Sequence, residues 1–264
     1  MLKRLCFILV AFFLLQTTLV FAGVEWQAKS VTKEKGKEST TLIHGYAQNG
    51  NVREEFVEVK GENPLTEKGM WWLYKGEGNT VYVVDPKEKT YIAVSLDSLM
   101  QFGGALSQFM KMTVSNLKVE VKPLNPETVS TYECKHIMIN SIYDTEMKVV
   151  IMKTKSHVEQ SQEIWAADIK SFQDMASAFK MKAFKTGMKD LDALIQKQME
   201  AYKNLGFSLK SITTQKTTQG KKTEITTTEM TVSDIATKDL NQDLFKIPAD
   251  YKQIEFGLKL PENK

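Results

Sequence analysis

Cys134-Lys135-His136-Ile137-Met138 brings a thiol, an imidazole and a thioether into five consecutive positions. On an extended strand, residues two apart point the same way, so Cys134, His136 and Met138 share a face at steps of roughly 7 Å. Soft donors of this kind suit Cu(I). A flat strand does not converge three ligands, however, and the spacing matches no recognised metal motif. The expectation is therefore a buried thiol, a hydrogen-bonded imidazole and a core methionine, with no metal; weak copper binding is the sharper alternative. Nucleophilic catalysis has little to work with. The histidines are His44, His136 and His157, and no serine stands in a G-x-S-x-G elbow. H-E-x-x-H, P-loop and dinucleotide-binding fingerprints are absent. The carboxylates Glu54-Glu55 and Asp190/Asp192 read as solvated strand and helix faces. No enzyme and no cofactor are expected.

The apolar pattern says more. From Ser95 to Met112, Leu99, Phe102, Leu106, Phe109 and Met110 recur every three or four residues, the period of one helix face. A longer helical stretch runs from Asp168 to Asn204, with Phe172, Met175, Phe179 and Phe184 on its stripe. Gly187 divides this stretch and Gly206 closes it. Methionine is flexible and polarizable, so Met/Phe stripes can line a surface that adapts to varied apolar partners. The expected ligand-binding residues are Leu99, Phe102, Leu106, Phe109, Met110, Phe172, Met175, Phe179 and Phe184. Ordinary core packing is the plainer alternative for all nine.

The rest of the chain reads as strands. Asn49-Gly50 joins Thr40–Gln48 to Asn51–Lys60 and permits the positive φ angles of a tight hairpin. Asp85-Pro86-Lys87-Glu88-Lys89 joins Thr80–Val84 to Thr90–Val94. Further strands are predicted at Asn116–Lys122, Tyr132–Ile139, Met147–Lys153 and Gln162–Ala166. A Thr-rich hairpin turns at Gln219-Gly220-Lys221, between Phe207–Thr218 and Lys222–Val232. Trp71 and Trp72 are adjacent, so on a strand they face opposite sides, and at least one is expected on the convex or rim surface. Together these elements predict an α+β fold: a strongly curved antiparallel sheet forming an unclosed half-barrel, its concave face covered by the two amphipathic helical segments.

The N-terminus sets the compartment. Lys3-Arg4 precedes an unbroken apolar run from Leu5 to Leu15, and Val20-Phe21-Ala22 supplies a small-x-small cleavage site. That order is a secretory signal peptide, and its apolar core is well short of the roughly 20 residues that cross a bilayer. Cleavage after Ala22 is expected to leave residues 23–264 as a single domain, periplasmic or secreted, with no integral membrane span. Without Lys3 and Arg4, 33 of the 35 basic residues remain against 32 acidic ones. So neutral a chain has no field for polyanions, and nucleic acid is not an expected partner. Cys134 is then the one cysteine left, so no internal disulfide forms.

Three pieces carry a family resemblance: Glu163-Ile164-Trp165 with Asp168, Leu244-Phe245-Lys246-Ile247-Pro248-Ala249-Asp250-Tyr251, and the hairpin bearing Asp85-Pro86 and Tyr91. With these the chain resembles an exported bacterial family of unassigned function, related to the LolA-like superfamily of periplasmic lipoprotein carriers. The resemblance implies a half-barrel lined with apolar residues and non-catalytic binding of a hydrophobic ligand: a lipid, an acyl chain or a lipid-modified protein. The alternative it leaves open is an envelope interaction or stress-sensor protein that recognises a polypeptide partner. It supplies no catalytic residue.

Overall fold

The computed structural model describes residues 23–61, 66–76, 80–95, 110–149, 152–169, 189–202 and 205–255. Its strands are β1 (Gly23–Glu34), β2 (Lys37–Gln48), β3 (Asn51–Lys60), β4 (Trp71–Lys75), β5 (Thr80–Asp85), β6 (Thr90–Ser95) and β7 (Met110–Pro123). They continue with β8 (Glu127–Val129), β9 (Tyr132–Val149), β10 (Met152–Ala167), β11 (Phe207–Gln219), β12 (Lys222–Lys238) and β13 (Lys252–Gln253). One α-helix, α1 (Lys189–Tyr202), and a 3-10 turn at Gln242–Phe245 complete the elements among the described residues.

The strands form one curved, unclosed sheet in the order β13-β6-β5-β4-β3-β2-β1-β12-β11-β10-β9-β7, with β8 paired to β9 beside that path. Every pairing is antiparallel except that of β13 with β6. The turn chemistry explains most of the hairpins. Asn49 and Gly50 take φ of 52° and 76°, and Gln48 pairs with Asn51 as a two-residue I′ turn requires. Lys35-Gly36 repeats that geometry between β1 and β2. At the β5–β6 turn, the Asp85 carboxylate accepts hydrogen bonds from the backbone N–H of Lys87 and Glu88.

Two predictions fail for identifiable reasons. Met147–Lys153 is not a strand of its own: Val149 pairs with Met152, so the chain reverses between β9 and β10. Val149-Val150-Ile151-Met152 contains no turn-forming residue, so nothing local announces the reversal. The helix expected from Ser95 to Met112 does not extend to its ends. Ser95 closes β6 and Met110 opens β7, where it pairs with Val149, so Met110 belongs to a strand instead. Ladder hydrogen bonds with β9 outweigh the helical period at that end. Residues 96–109 and 170–188 lie outside the described residues. Asp168 and Ile169 are not helical, and the described part of the long helical stretch is α1 alone. A sheet covered by two helical segments is thus not what these elements display.

Helix α1 packs on the sheet near β7. Leu194 is buried, and Ala201 with Leu205 meets Ile137, Ile139, Ile164 and Ala166. The Asp190 carboxylate accepts from the backbone N–H of Val114, an amide of edge strand β7, at 3.4 Å. Gly206 follows at φ 96°, where a Cβ would come within 2.4 Å of the Ala167 carbonyl oxygen. That approach admits only glycine.

Candidate functional site

Cross-strand pairing assigns each residue to a face. One row runs Val59, Thr41, Ser30, Met230, Ser211, Ile164 and Ile137 across β3, β2, β1, β12, β11, β10 and β9. Because α1 packs on Ile137 and Ile164, this row marks the helix-bearing face. On the same face Trp26, Gly45, Glu54, Trp72, Val83 and Ile92 form a row across β1 to β6. The adjacent row there is Val24, Ala47, Val52, Tyr74, Val81 and Val94. The opposite face carries Glu25, Tyr46, Arg53, Leu73 and Tyr82, and beside them His44, Glu55, Trp71, Val84 and Tyr91.

The opposite face is covered at Trp71, Leu73 and Val84. Residues after β12 return across it, placing Leu240, Leu244, Phe245 and Ile247 on Trp71, Leu73 and Val84. Leu73 and Val84 are 0% exposed. Each such side chain contributes about 1.5–3 kcal/mol by leaving water. Polar groups fasten the segment. Gln48 accepts from the Leu240 N–H at 3.0 Å and donates to Asp239 at 3.1 Å. Arg53 lies 3.9 Å above the Trp71 ring, donates to the Leu244 carbonyl at 2.9 Å and pairs with Glu55 at 2.6 Å. Lys89 meets Asp250 at 2.7 Å, and Lys252 donates to the Lys89 carbonyl. The Asp85-Pro86, Tyr91 and Leu244–Tyr251 motifs thus meet in one place, and there they serve as structure. A hollow of about 390 Å³ remains beside Arg53, Lys68, Lys246 and Tyr251, where Glu55 pairs with Arg53 and Asp243 with Lys246.

The helix-bearing face differs. Trp26, Val52 and Phe56 are buried, but Trp72, Tyr74, Val81, Val83, Ile92 and Val94 are only half-buried. Phe56 meets Trp72 edge to face at 5.4 Å, and Trp26 meets Phe207 likewise at 5.9 Å. The Trp26 indole passes where a Cβ on Gly45 would lie, 2.1 Å from that position. Glu54, the cross-strand neighbour of both Gly45 and Trp72, stands among these rings. Burial alone pushes its carboxyl above the ordinary carboxylate range. The expectation that Glu54 and Glu55 are both solvated is therefore corrected: Glu54 lies on the apolar face and Glu55 is bound to Arg53. The pleat that separates neighbours is the cause. Of the two adjacent tryptophans, Trp71 is covered by the returning segment and Trp72 is half-buried on the helix-bearing face.

Of the nine residues expected to contact a ligand, Leu99, Phe102, Leu106, Phe109, Phe172, Met175, Phe179 and Phe184 lie outside the described residues. Met110 is in β7. The apolar surface of β4–β6, with Glu54 of β3 at its border, was not among the candidates. The alternating run Thr80–Val84 held half of that signal.

The third constellation is assembled differently from a metal site. Cys134 is buried and donates to the Tyr132 carbonyl, and burial raises its thiol pKa, so it stays protonated. His136 stacks on Trp165 with centroids 4.3 Å apart, and its ring nitrogens meet the Asn125 carbonyl at 3.2 Å and Glu163 at 2.7 Å. Trp165 donates to Glu127 at 3.0 Å, and the Lys210 ammonium lies over its ring, 4.6 Å from the centre. Among the described residues no three His, Cys, Asp or Glu side chains converge for a metal. The Glu163-Ile164-Trp165 motif thus splits, Ile164 under α1 and its two neighbours around His136. His157 pairs with Asp144 at 2.6 Å on the exposed surface.

These elements define an open antiparallel half-barrel with one partly covered face and one half-open apolar face. The chain belongs to the family described as "Domain of unknown function (DUF4412)", whose model matches residues 29–251. No curated protein matches it. Among solved structures it is similar to a domain provisionally described as an outer membrane lipoprotein-sorting protein from Vibrio parahaemolyticus: 12% identity, 85% of this chain, 89% of that one, TM-score 0.31. It is also similar to a DUF1329 family protein from Desulfovibrio piger, at 10% identity, 90% and 93% coverage and TM-score 0.25. A third is the lipoprotein LppX of Mycobacterium tuberculosis, at 8% identity, 81% and 88% coverage and TM-score 0.28. At these identities and scores the likeness carries no functional information. No helix among the described residues is long and apolar enough to cross a membrane.

Proposed function

We propose that this chain is an exported, single-domain binding protein without catalytic activity. It holds the apolar part of a lipid, an acyl chain or a lipid-modified protein against the helix-bearing face. The observation that carries this reading is the half-buried state of Trp72, Tyr74, Val81, Val83, Ile92 and Val94, side by side on one face. Contiguous accessible apolar surface marks a binding surface more often than it marks idle solvent contact. The magnitude is sufficient. Each buried methylene is worth about 0.8 kcal/mol, so a twelve-carbon chain gains roughly 10 kcal/mol before association costs. In this reading cleavage after Ala22 delivers residues 23–264 to the periplasm or the medium. Leu99, Phe102, Leu106, Phe109, Phe172, Met175, Phe179 and Phe184 then complete the apolar surroundings of the ligand.

Native mass spectrometry of the protein purified from its own envelope tests this, together with uptake of the neutral fluorophore N-phenyl-1-naphthylamine. The expected result is a co-purifying lipid mass and a fluorophore signal that Trp72→Ala reduces. Protein that always emerges bare and never takes up the fluorophore overturns the reading. The edge of β7 supports a second one. This strand pairs with β9 on one side and with no strand on the other among the described residues, so an envelope polypeptide can add there as a further strand along the part of the edge that Asp190 of α1 does not occupy at Val114.

A further inference from the structure

We propose that Glu54 is the polar anchor of this face and that the ligand it selects is a single-chain amphiphile with a primary ammonium head. This rests on the hydrophobic-ligand reading above and narrows it to one headgroup chemistry.

Glu54 is the one charged residue in the row of Trp26, Gly45, Glu54, Trp72, Val83 and Ile92, and the adjacent row through Val52 and Tyr74 has none. Among the described residues no cation and no hydrogen-bond donor reaches its carboxylate, and burial is the sole influence on its titration. An uncompensated carboxylate on an apolar face costs stability. On the opposite face, by contrast, Glu25 has Lys238 at 2.6 Å and Glu55 has Arg53 at 2.6 Å. Glu54 stays half-buried, so a ligand can reach it.

The surroundings specify what would satisfy it. Gly45 has no side chain, and the Trp26 indole fills that space beside Glu54. Trp72 lies directly across the strand pair on the other side. A carboxylate beside the half-buried Trp72 indole favours a cation: the carboxylate accepts its N–H groups and the Trp72 ring attracts its charge. A primary ammonium supplies both interactions, and its alkyl chain extends over Val83 and Ile92. A carboxylate headgroup would be repelled, and an alcohol supplies one donor and no charge.

Dodecylammonium, dodecanol and dodecanoate share a chain length and differ in the head, so calorimetric titration of the full mature chain with each isolates the anchor. Dodecylammonium is expected to bind roughly tenfold more tightly than dodecanol, the yield of one charge-assisted contact, and dodecanoate more weakly than either. Glu54→Gln is expected to collapse the ammonium preference, with dodecanol binding by the same variant reporting that it is folded. In the unaltered protein, lowering the pH until the carboxyl is protonated should erase the preference, which requires no variant. Equal affinity for dodecylammonium and dodecanol overturns the inference, as does a preference that survives both Glu54→Gln and acid. Failure of all three amphiphiles to bind overturns the hydrophobic-ligand reading itself, and the anchor with it.

Discussion

Trp71 and Trp72, Val83 and Val84, and Glu54 and Glu55 are pairs of neighbours with the same chemistry and opposite circumstances. Trp71, Val84 and Glu55 face the returning C-terminal segment, where Leu240 and Phe245 exclude water and Arg53 supplies a countercharge. Trp72, Val83 and Glu54 face the helix-bearing side, half-buried, with no countercharge for the acid. A strand alternates its side chains, so one sequence builds a closed core and an open surface at once. The first holds the fold together, and the second is the face proposed to bind. The sharpest test of that division compares two truncations. Leu73→Ala, on the covered face, should cost about 2–5 kcal/mol, as fully buried leucines do, and shift the urea midpoint accordingly. Val83→Ala should cost well under half as much and weaken ligand uptake instead. Equal destabilisation by both would erase the distinction.

Gly45→Ala attacks the open face at its one crowded point. The new Cβ would lie 2.1 Å from the Trp26 ring, so the indole must move. A cost of about 1–3 kcal/mol is expected from overpacking, with a change in near-ultraviolet circular dichroism from the displaced tryptophan. An unchanged spectrum would show that Trp26 does not lean on Gly45.

Glu55→Gln probes the covered face through charge. It leaves the Arg53 guanidinium, 15% exposed, without its 2.6 Å partner, at a cost of about 1–2 kcal/mol. The double variant Arg53→Met with Glu55→Gln should recover part of that loss, because both charges then leave together. No recovery would mean that Arg53 acts mainly through Trp71 and the Leu244 carbonyl.

How far these features were visible in the amino-acid order depends on their range. Asn49-Gly50, Asp85-Pro86 and Gly220 set hairpins locally, and each hairpin forms where those residues stand. The family resemblance rested on motifs that the structure gathers around Tyr91 and Trp165. Pairing partners far apart in sequence were not legible. Nothing in Gln48 announces that it holds Leu240, 192 residues away. Glu54 looked like a solvated acid because Arg53, Glu55 and Glu58 surround it in sequence, whereas its neighbours in space are Gly45 and Trp72. The period of Ser95 to Met112 spoke for a helix, but β9 claims its last residues through a ladder that no local pattern encodes.

The smallest effect separates Glu54 from the exposed acid Asp144 by the sign of its pH dependence. The folded chain holds the Glu54 proton to a higher pH than the unfolded chain, whose glutamates titrate at about 4.3. Below that value both states are protonated and Glu54 costs nothing. As the pH rises from there through its raised folded value, the unfolded chain ionises first and folding loses stability. Asp144 is the reverse: Asn116 and then His157 hold its carboxyl below the ordinary range, so its contribution is present at neutral pH and lost as the pH falls through that lowered value. Glu54→Gln should therefore be more stable than the unaltered protein at neutral pH, with the gap closing in acid. Asp144→Asn should be slightly less stable at neutral pH, and that gap should close at a lower pH. Urea midpoints across the acid range read both. A Glu54→Gln protein weaker than its parent at neutral pH would mean that the carboxylate is already satisfied, and the open face would then have no unmet charge for a ligand to answer.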